Sequence, residues 1–304
     1  MKFDVVSIGE PMVEFNQTKP NEPLYLQGFG GDSSNMIIAA ARQGAATAYV
    51  SRLGDDEFGR MFRELWKTEG VDASGVGTDA SAFTAAYFVT HGKDGHRFSY
   101  IRAGSAAGRM RPEHLPGLSC RFMHASGISL AVMQDAVMEA FKRARQAGAK
   151  IAFDGNLRQK LWPLERAREA MARAIAMADY FFPSLEDAQP LSGKQTEQEI
   201  LAWAHGLGAK NVFLKLGGDG VIASDGTSQE HIAGFPVKLA DATGAGDCFA
   251  GAALARLARG DSLVEAARYA NAAAALKTTG YGAVAPIPRP EAVRRLLHSP
   301  ECAP

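Results

Sequence analysis

The sequence lacks the features of nucleic-acid binders, membrane proteins and metal centres. Its 304 residues hold 33 lysines and arginines against 33 aspartates and glutamates, so there is no basic excess to displace counterions from a nucleic acid. No stretch approaches the roughly 18 uninterrupted apolar residues of a membrane span. The three cysteines, Cys120, Cys248 and Cys302, include no closely spaced pair, which argues against a zinc site and favours a reducing compartment.

The amino-terminal residues are not expected to form a secretion signal. Residues 1–10 combine a lysine, an acid and a short apolar run that is too short and too charged for a signal peptide. We therefore expect a first core strand there and a cytoplasmic protein. The composition, 46% hydrophobic and 22% charged, is that of a globular protein and excludes disordered and coiled-coil classes. The length allows two average domains or one large α/β domain with an appendage.

Apolar runs of strand length alternate with segments of helical period, which is typical of βαβ units around a parallel sheet. In the segment after Gln134, for example, Val137, Phe141 and Ala144 recur at helical spacing. The other predicted helices are 36–42, 164–178, 196–205, 250–258 and 262–278. The predicted strands are 3–8, 48–53, 122–126, 150–154, 180–183, 211–216 and 220–223.

One region interrupts this alternation. Two β-type runs, 85–91 and 96–102, are joined by the turn-rich Gly92-Lys93-Asp94-Gly95, which indicates an antiparallel hairpin. Together with residues 24–28 they predict a small separate sheet inserted into the main fold. The expected division is a core of residues 1–10, 31–80 and 105–304, with residues 11–30 and 81–104 forming the inserted sheet.

The stretch most informative about chemistry is 241–249, which precedes an apolar helix. Its small residues Gly244, Ala245 and Gly246 let backbone N–H groups point together at a helix start, which favours an anion. A carboxylate at Asp247 is placed to take a proton from a hydroxyl that attacks a bound phosphorus, which predicts phosphoryl transfer to an alcohol. A glycine-rich turn followed by a first-turn acid explains the same residues without chemistry.

Two other phosphate-binding patterns are excluded. No window supplies the GxxxxGK of a P-loop followed by Ser or Thr, and residues 244–249 lack the third glycine of a dinucleotide fingerprint. A second glycine-rich stretch, 28–35, allows the main chain to approach a polyhydroxy ligand, and Asn35 there can both donate and accept. Capping of a helix by Asp32 or Ser33 is the alternative.

Together these stretches resemble the signature motifs of the ribokinase-like (PfkB-type) carbohydrate kinases, over nearly the whole chain. Residues 241–247 resemble the anion-hole motif, in which Asp247 is the catalytic base and the amides of residues 244–246 hold the anion. Gly30-Gly31 resembles the sugar-binding glycine pair, and residues 215–220 resemble the nucleotide-side turn. The resemblance implies a three-layer α/β fold, with a mainly parallel central sheet flanked by helices and a small β-sheet lid.

Within that family the sequence is similar to the 2-keto-3-deoxygluconate kinases in residues 28–35, 100–107, 126–129 and 156–162. The implied reaction transfers the γ-phosphoryl group of ATP to the C6 hydroxyl and gives 2-keto-3-deoxy-6-phosphogluconate. Besides Asp247, the substrate contacts that the resemblance implies are Gly31, Asn35, Tyr87, Tyr100, Arg102, Ile128 and Arg158.

Two of these residues favour an acidic sugar. Arg102 belongs to the lid hairpin, and Arg158 lies just past a predicted strand, where open α/β sheets bind ligands. A guanidinium group grips a carboxylate as a fork, whereas a neutral sugar gives no such reason for the pair. Each arginine also fits an exposed charge or a phosphate contact, and Tyr87 and Tyr100 also fit half-buried strand aromatics.

The resemblance further implies ATP and Mg²⁺ as cofactors and leaves a monovalent cation open. Asp187 is expected to hold the metal through water. Many relatives carry Asn-x-x-Glu where this chain has Ser184 and Asp187, so the ion dependence stays open. The residues expected at the nucleotide are Asn156, Ser184, Lys215, Gly217, Gly218, Gly220 and Asn271.

Other functions remain open at this point. A fructokinase or ribokinase shares every motif except the need for the arginine pair, and a non-catalytic sugar or nucleotide sensor retains the pocket. The hairpin favours a homo-oligomer formed through the lid. Cys248 and the scattered His91, His96 and His124 are assigned no chemistry.

Overall fold

A computed structural model of the protein describes residues 2–20, 22–92, 95–117 and 119–299. Of the positions named above, Met1, Lys93, Asp94 and Cys302 lie outside the described residues, as does the side chain of His96.

Strand β1 (Phe3–Ile8) shows how the main sheet is built. Its Val6 and Ile8 pack into one hydrophobic cluster and Val5 into another on the opposite face, and all three are buried. Successive side chains of a strand point to opposite faces, so a strand with buried apolar side chains at successive positions must be covered on both sides. The sheet is therefore the middle of three layers.

The remaining strands of the described residues follow in chain order. They are β2 (Met12–Gln17), β3 (Tyr25–Gly30), β4 (Thr47–Gly54), β5 (Val71–Asp79), β6 (Ala86–Gly92), β7 (Gly95–Ile101), β8 (Cys120–Ser126), β9 (Lys150–Asp154), β10 (Tyr180–Phe182), β11 (Asn211–Lys215), β12 (Val221–Ser224) and β13 (Gln229–Ile232).

The strands form two sheets. The main sheet has the order β13-β12-β11-β10-β9-β8-β1-β4-β5; it is parallel from β11 to β5, while β12 and β13 are antiparallel to their neighbours. The small sheet has the order β3-β2-β6-β7, with antiparallel outer pairs and a parallel β2–β6 pair in the middle. The carboxyl ends of the parallel strands share one edge of the main sheet, where ligands bind in open α/β folds.

The helices are α1 (Asp32–Arg42), α2 (Glu57–Glu69), α3 (Gly127–Gln146), α4 (Leu164–Ala176), α5 (Leu185–Ser192), α6 (Glu197–Leu207), α7 (Ala245–Ala258), α8 (Leu263–Lys277) and α9 (Pro290–Leu297). Helices α3 to α6 contribute to the cluster on one face of the main sheet, and α1, α2 and α7 to α9 to the other. Across the ranges that the structure describes, no helix is both long and apolar enough to cross a membrane.

The predicted alternation is confirmed, with several additions. The prediction omitted β2, β5, β13, α2, α5 and α9, and it placed the starts of α1, α3 and α7 too late. Strand β5 was not predicted because residues 71–79 contain no apolar run. This composition is compatible with its position at the edge of the main sheet. Helix α3 begins at Gly127 and is interrupted at Met133, where φ is −142° and ψ 51°. The regular spacing after Gln134 therefore described only its second half.

Candidate active site

Asp247 lies in the first turn of α7, beside the start of α1. Helix α7 follows Gly244, whose φ of 76° suits glycine. A Cβ added to Gly251 of α7 would lie 2.3 Å from the carbonyl oxygen of Met36 in α1, so the glycine allows the two helices to pack closely. At the end of this contact, Asn35 Nδ2 donates a hydrogen bond to Asp247 Oδ2 at 2.8 Å.

The environment of Asp247 favours its protonated form more than water does. Burial raises the pKa of this carboxyl group from 3.8 to about 7, and the nearby Asp32 and Asp154 add to the rise. The hydrogen bond from Asn35 and the charge of Lys215 act in the opposite direction. A carboxyl group whose pKa lies near the working pH is suited to accept a proton from a hydroxyl.

Lys215, the last residue of β11, lies between Asp154 and the start of α7. Its Nζ is 3.0 Å from both carboxylate oxygens of Asp154. A Cβ added to Gly246 would lie 3.2 Å from the same Nζ, so the ammonium group is close to the first turn of the helix. The amides and dipole of α7 and the charge of Lys215 thus favour an anion at one place.

The start of α1 brings further polar groups to this place. Gly31 has a φ of 95°, and a Cβ there would lie 2.4 Å from the carbonyl oxygen of Glu10, so the position requires glycine. Asp32 Oδ2 accepts a hydrogen bond from Asn156 Nδ2 at 2.8 Å. Asn35 Oδ1 is buried without a hydrogen-bond partner among the described residues. A ligand hydroxyl would satisfy this acceptor, which is costly to leave unpaired.

Two tyrosines lie side by side on neighbouring strands of the small sheet, β6 and β7. Tyr87 and Tyr100 are register partners, and their ring centroids are 6.0 Å apart. Tyr87 is buried and its Oη donates to Glu14 Oε2 at 2.5 Å, whereas Tyr100 is 44% exposed. Glu14 is absent from the predicted site residues. An acid between Val13 and Phe15 in a largely buried strand is the signal that points to it.

Arg102 binds a carboxylate of the protein itself. Its Nη2 donates to Glu10 Oε2, and Ser105 Oγ donates to Glu10 Oε1 at 2.7 Å. Glu10 is buried, and this burial raises the pKa of its carboxyl group although Arg102 opposes the rise. Arg102 therefore already has an acidic partner, which corrects the argument that an acidic substrate is needed to explain it.

Arg158 is more exposed than Arg102 and, in the part of the chain that the structure describes, has no carboxylate at hydrogen-bond distance. Its Nη1 is 3.9 Å from Asp187 Oδ1, and its side chain is 51% exposed. The backbone N–H of Asp187 donates to Ser184 Oγ at 3.1 Å, so the structure uses Ser184 as the cap of α5. Ile128, the second residue of α3, is half-buried.

The predicted nucleotide-side turn follows β11. Gly217 and Gly218 lie in a short 3-10 helix, and a Cβ added to either would meet nothing within 4 Å. Gly220 has a φ of 103°, and a Cβ there would lie 2.0 Å from a backbone carbonyl oxygen of β13. Asn271 Nδ2 donates to the carbonyl of Ala233 at 2.9 Å. The first two glycines leave open space, whereas Gly220 and Asn271 hold the loops around it.

Comparison with known proteins establishes the family. The sequence model of the pfkB family carbohydrate kinases matches residues 2–290. The chain belongs to the pfkB family of carbohydrate kinases. This pfkB kinase is 32% identical to aminoimidazole riboside kinase of Salmonella typhimurium, covering 96% of this chain and 94% of that protein. It is 34% identical to fructokinase-1 of Zea mays, covering 96% and 97%.

Solved structures confirm the predicted ribokinase-like fold. A putative ribokinase II from E. coli in complex with ATP and Mg²⁺ aligns with a TM-score of 0.90 at 28% identity, over 97% of this chain and 98% of that one. Fructokinase from Vibrio cholerae O395, with fructose, ADP and a calcium ion, aligns with a TM-score of 0.88 at 28% identity, over 98% and 100%.

The structure of this pfkB kinase brings part of the predicted site together. Asn35, Asn156 and Lys215 contact or closely approach the carboxylates around Asp247. Sequence reasoning missed Glu10 and Glu14 as members of this polar region. The prediction of a sugar kinase is confirmed by the family, whereas the relatives named above give no support to 2-keto-3-deoxygluconate as its sugar.

Proposed function

We propose that the protein transfers the γ-phosphoryl group of ATP to a primary hydroxyl group of a neutral sugar, with fructose as the first candidate. The observation that carries the proposal is the buried Asp247 at the start of α7, whose pKa is about 7 and which accepts a hydrogen bond from Asn35. Transfer of a phosphoryl group to an alcohol needs a base and an anion-binding group side by side, and both are available here.

In the proposed step Asp247 accepts the proton of the sugar hydroxyl while the hydroxyl oxygen bonds to the γ-phosphorus. The bond from that phosphorus to the bridging oxygen breaks, and ADP leaves with the electron pair. The amides of Gly244, Ala245 and Gly246 and the dipole of α7 stabilise the charge on the transferring oxygens. Lys215, held by Asp154, adds a positive charge at the same place.

The residues present fit a magnesium nucleotide that brings most of its own metal ligands. The described part of the chain has no group of three or more His, Cys, Asp and Glu side chains arranged to hold a metal. Magnesium in phosphoryl-transfer sites usually takes one or two carboxylates and completes its shell with phosphates and water. Asp187, on the first turn of α5, would supply such a carboxylate, and the bound ion would neutralise phosphate charge. Gly217 and Gly218 leave space for the nucleotide.

Two observations support a neutral sugar. Fructokinases are among the relatives that match nearly the whole chain. In addition, the guanidinium group of Arg102 is already paired with Glu10. Polyol hydroxyls would instead find the unpaired Asn35 Oδ1 and the carboxylate of Glu14.

A second candidate substrate is 2-keto-3-deoxygluconate, phosphorylated at its C6 hydroxyl. The observation that favours it is the exposed Arg158, which lies beyond β9 and has its nearest carboxylate, that of Asp187, only at 3.9 Å. A substrate carboxylate would give this arginine a closer partner.

Both candidates are tested by coupled measurement of ADP release with fructose, ribose, aminoimidazole riboside and 2-keto-3-deoxygluconate, followed by identification of the product. The proposal expects the highest kcat/KM for fructose, and Asp247→Asn serves as the inactive control. A preference for the acid that disappears in Arg158→Ala would instead support the second candidate. Binding of a sugar without ADP release from any of them would make the protein a sensor and overturn the proposal.

A further inference from the structure

Lys277, the last residue of α8, is a cation buried without an acidic partner. Its side chain is 0% exposed, and its Nζ donates a hydrogen bond to the carbonyl oxygen of Asp241 at 2.9 Å. Among the described residues it forms no ion pair with a carboxylate. Burial accordingly lowers the pKa of Lys277. Burying a charge without a direct ion pair is costly, and an apolar side chain of similar length would pack there without that cost.

The carbonyl that Lys277 holds belongs to the first residue of the anion-hole segment. Asp241 joins this segment to the residues after α8 through several hydrogen bonds. Its backbone N–H donates to the carbonyl of Thr278 at 3.0 Å. Its carboxylate accepts from the backbone N–H groups of Thr243 and Gly282, each at 2.9 Å. The direction of the chain from Asp241 to Gly244, where α7 begins, is thus fixed at one junction.

Lys277 also contributes its charge to the acidic groups around the site. The carboxylates of Asp241, Asp247 and Glu14 all favour its charged form. These groups lie on the anion-hole segment, on α7 and on β2, so the ammonium group lies among three elements of the site. Its placement is explained by the site and not by the stability of the core.

We propose that Lys277 is a positioning residue whose ammonium group serves as a built-in monovalent cation beneath the anion-hole segment, so that turnover requires no added monovalent metal ion. This inference rests on the proposed phosphoryl transfer. A fructokinase double mutant from Vibrio cholerae O395 has been solved with fructose, ADP and a potassium ion. A potassium ion and an ammonium group are both single positive charges that bind carbonyl oxygens, so one can replace the other in principle.

The first test compares cations at equal ionic strength. Wild-type kcat should be the same in KCl and in tetramethylammonium chloride, whose cation is too large for a carbonyl site. In tetramethylammonium chloride, Lys277→Met should lower kcat by roughly tenfold or more and leave the sugar KM unchanged, which is less than the roughly 10²–10³ lost with a direct oxyanion donor. Lys210→Met, which removes an exposed lysine of a distant ion pair with Asp179, is the matched control.

The second test asks whether an ion can take the place of the missing side chain. Lys277→Ala should regain part of its kcat when KCl or ethylammonium chloride replaces tetramethylammonium chloride. KCl should also raise the melting temperature of Lys277→Ala by a few degrees and leave that of the wild type unchanged, since a ligand stabilises only the state that binds it.

Three results would overturn the inference. These are a wild-type kcat or melting temperature that rises with KCl, a Lys277→Met enzyme with normal kcat, and a Lys277→Ala protein that responds to no cation. If Lys277→Met does not fold, the inference is still tested by the wild-type kcat in the two salts and by the response of Lys277→Ala to added cations. The melting temperatures need no substrate, so they also distinguish failure of this inference from failure of the proposed sugar kinase activity.

Discussion

At the scale of the single residue, Asp247 must lose a proton before it can accept one from a sugar. Burial beside Asp32 and Asp154 raises its pKa from 3.8 to about 7, so the carboxylate forms mainly above that pH. We expect kcat/KM for the sugar to rise with pH through about 7 and then to level off, as measured by initial rates in overlapping buffers. A rate already constant at pH 5 would contradict the role of Asp247 as the base.

Replacing the same residue by asparagine should lower activity without lowering stability at pH 8. Asp247→Asn keeps an oxygen to accept the hydrogen bond from Asn35 but cannot take up a proton. Its kcat should fall by roughly 10² to 10⁴.

Stability should change with pH in the wild type more than in this variant. Because the folded-state pKa lies above the unfolded value, the protonated carboxyl group favours folding at low pH, and this contribution is lost as the pH rises from about 4 to about 7. Urea unfolding should therefore show Asp247→Asn to be at least as stable as the wild type at pH 8. A clear loss of stability at pH 8 would mean that the ionised carboxylate supports the fold.

At the scale of secondary-structure elements, Glu10 ties together the chain segments that join the small sheet to the main one. It follows β1, and it is bound by Arg102 and Ser105, which follow β7. Its backbone carbonyl oxygen lies beside Gly31, which follows β3, since a Cβ added to that glycine would be 2.4 Å from this oxygen. Glu10 thus lies at one junction between the two sheets and reaches two others, one through its carboxylate and one through its backbone carbonyl oxygen.

The two arginines offer a direct comparison. Arg102→Ala would leave Glu10 buried without its counter-charge and should cost roughly 3–5 kcal/mol of unfolding free energy. Arg158→Ala removes a half-exposed side chain with no close ion pair and should cost less than about 1 kcal/mol. Urea denaturation of both variants checks this. Equal stability of the two would show that the Glu10–Arg102 pair does not hold the junctions.

The elements also show what sequence patterns can and cannot reveal. Strands β1 and β9 were predicted to the residue, because each contains apolar side chains at successive positions, as a strand covered on both faces requires. The glycines around Asp247 and Asn35 indicated the site, because close backbone approaches require them. Glu10 and Lys277 were missed, since a buried charge leaves no periodic signal and its partner lies far along the chain. Arg102, for example, is 92 residues from Glu10.

At the scale of the whole molecule, one face of the small sheet combines apolar and site residues. Tyr100, Tyr87 and Glu14 are aligned across neighbouring strands. The next row on the same face contains Phe98, Val89, Asn16 and Leu26. Leu26 is 68% exposed and Phe98 42%. Apolar side chains of this size on the open face of a sheet favour burial against a partner.

We expect that partner to be a second copy of the chain, packed through this face. Light scattering should then show the wild type to be larger than 32.4 kDa, the mass of one chain. Leu26→Asp combined with Phe98→Asp should give monomers, because a dimer would have to bury the new charges. Leu239→Asp, at an exposed leucine outside the small sheet, should leave the mass unchanged. Because Tyr87 and Tyr100 share the face, the monomeric variant should also show a raised sugar KM. A monomeric wild type, or a double variant that still associates, would place the contact elsewhere.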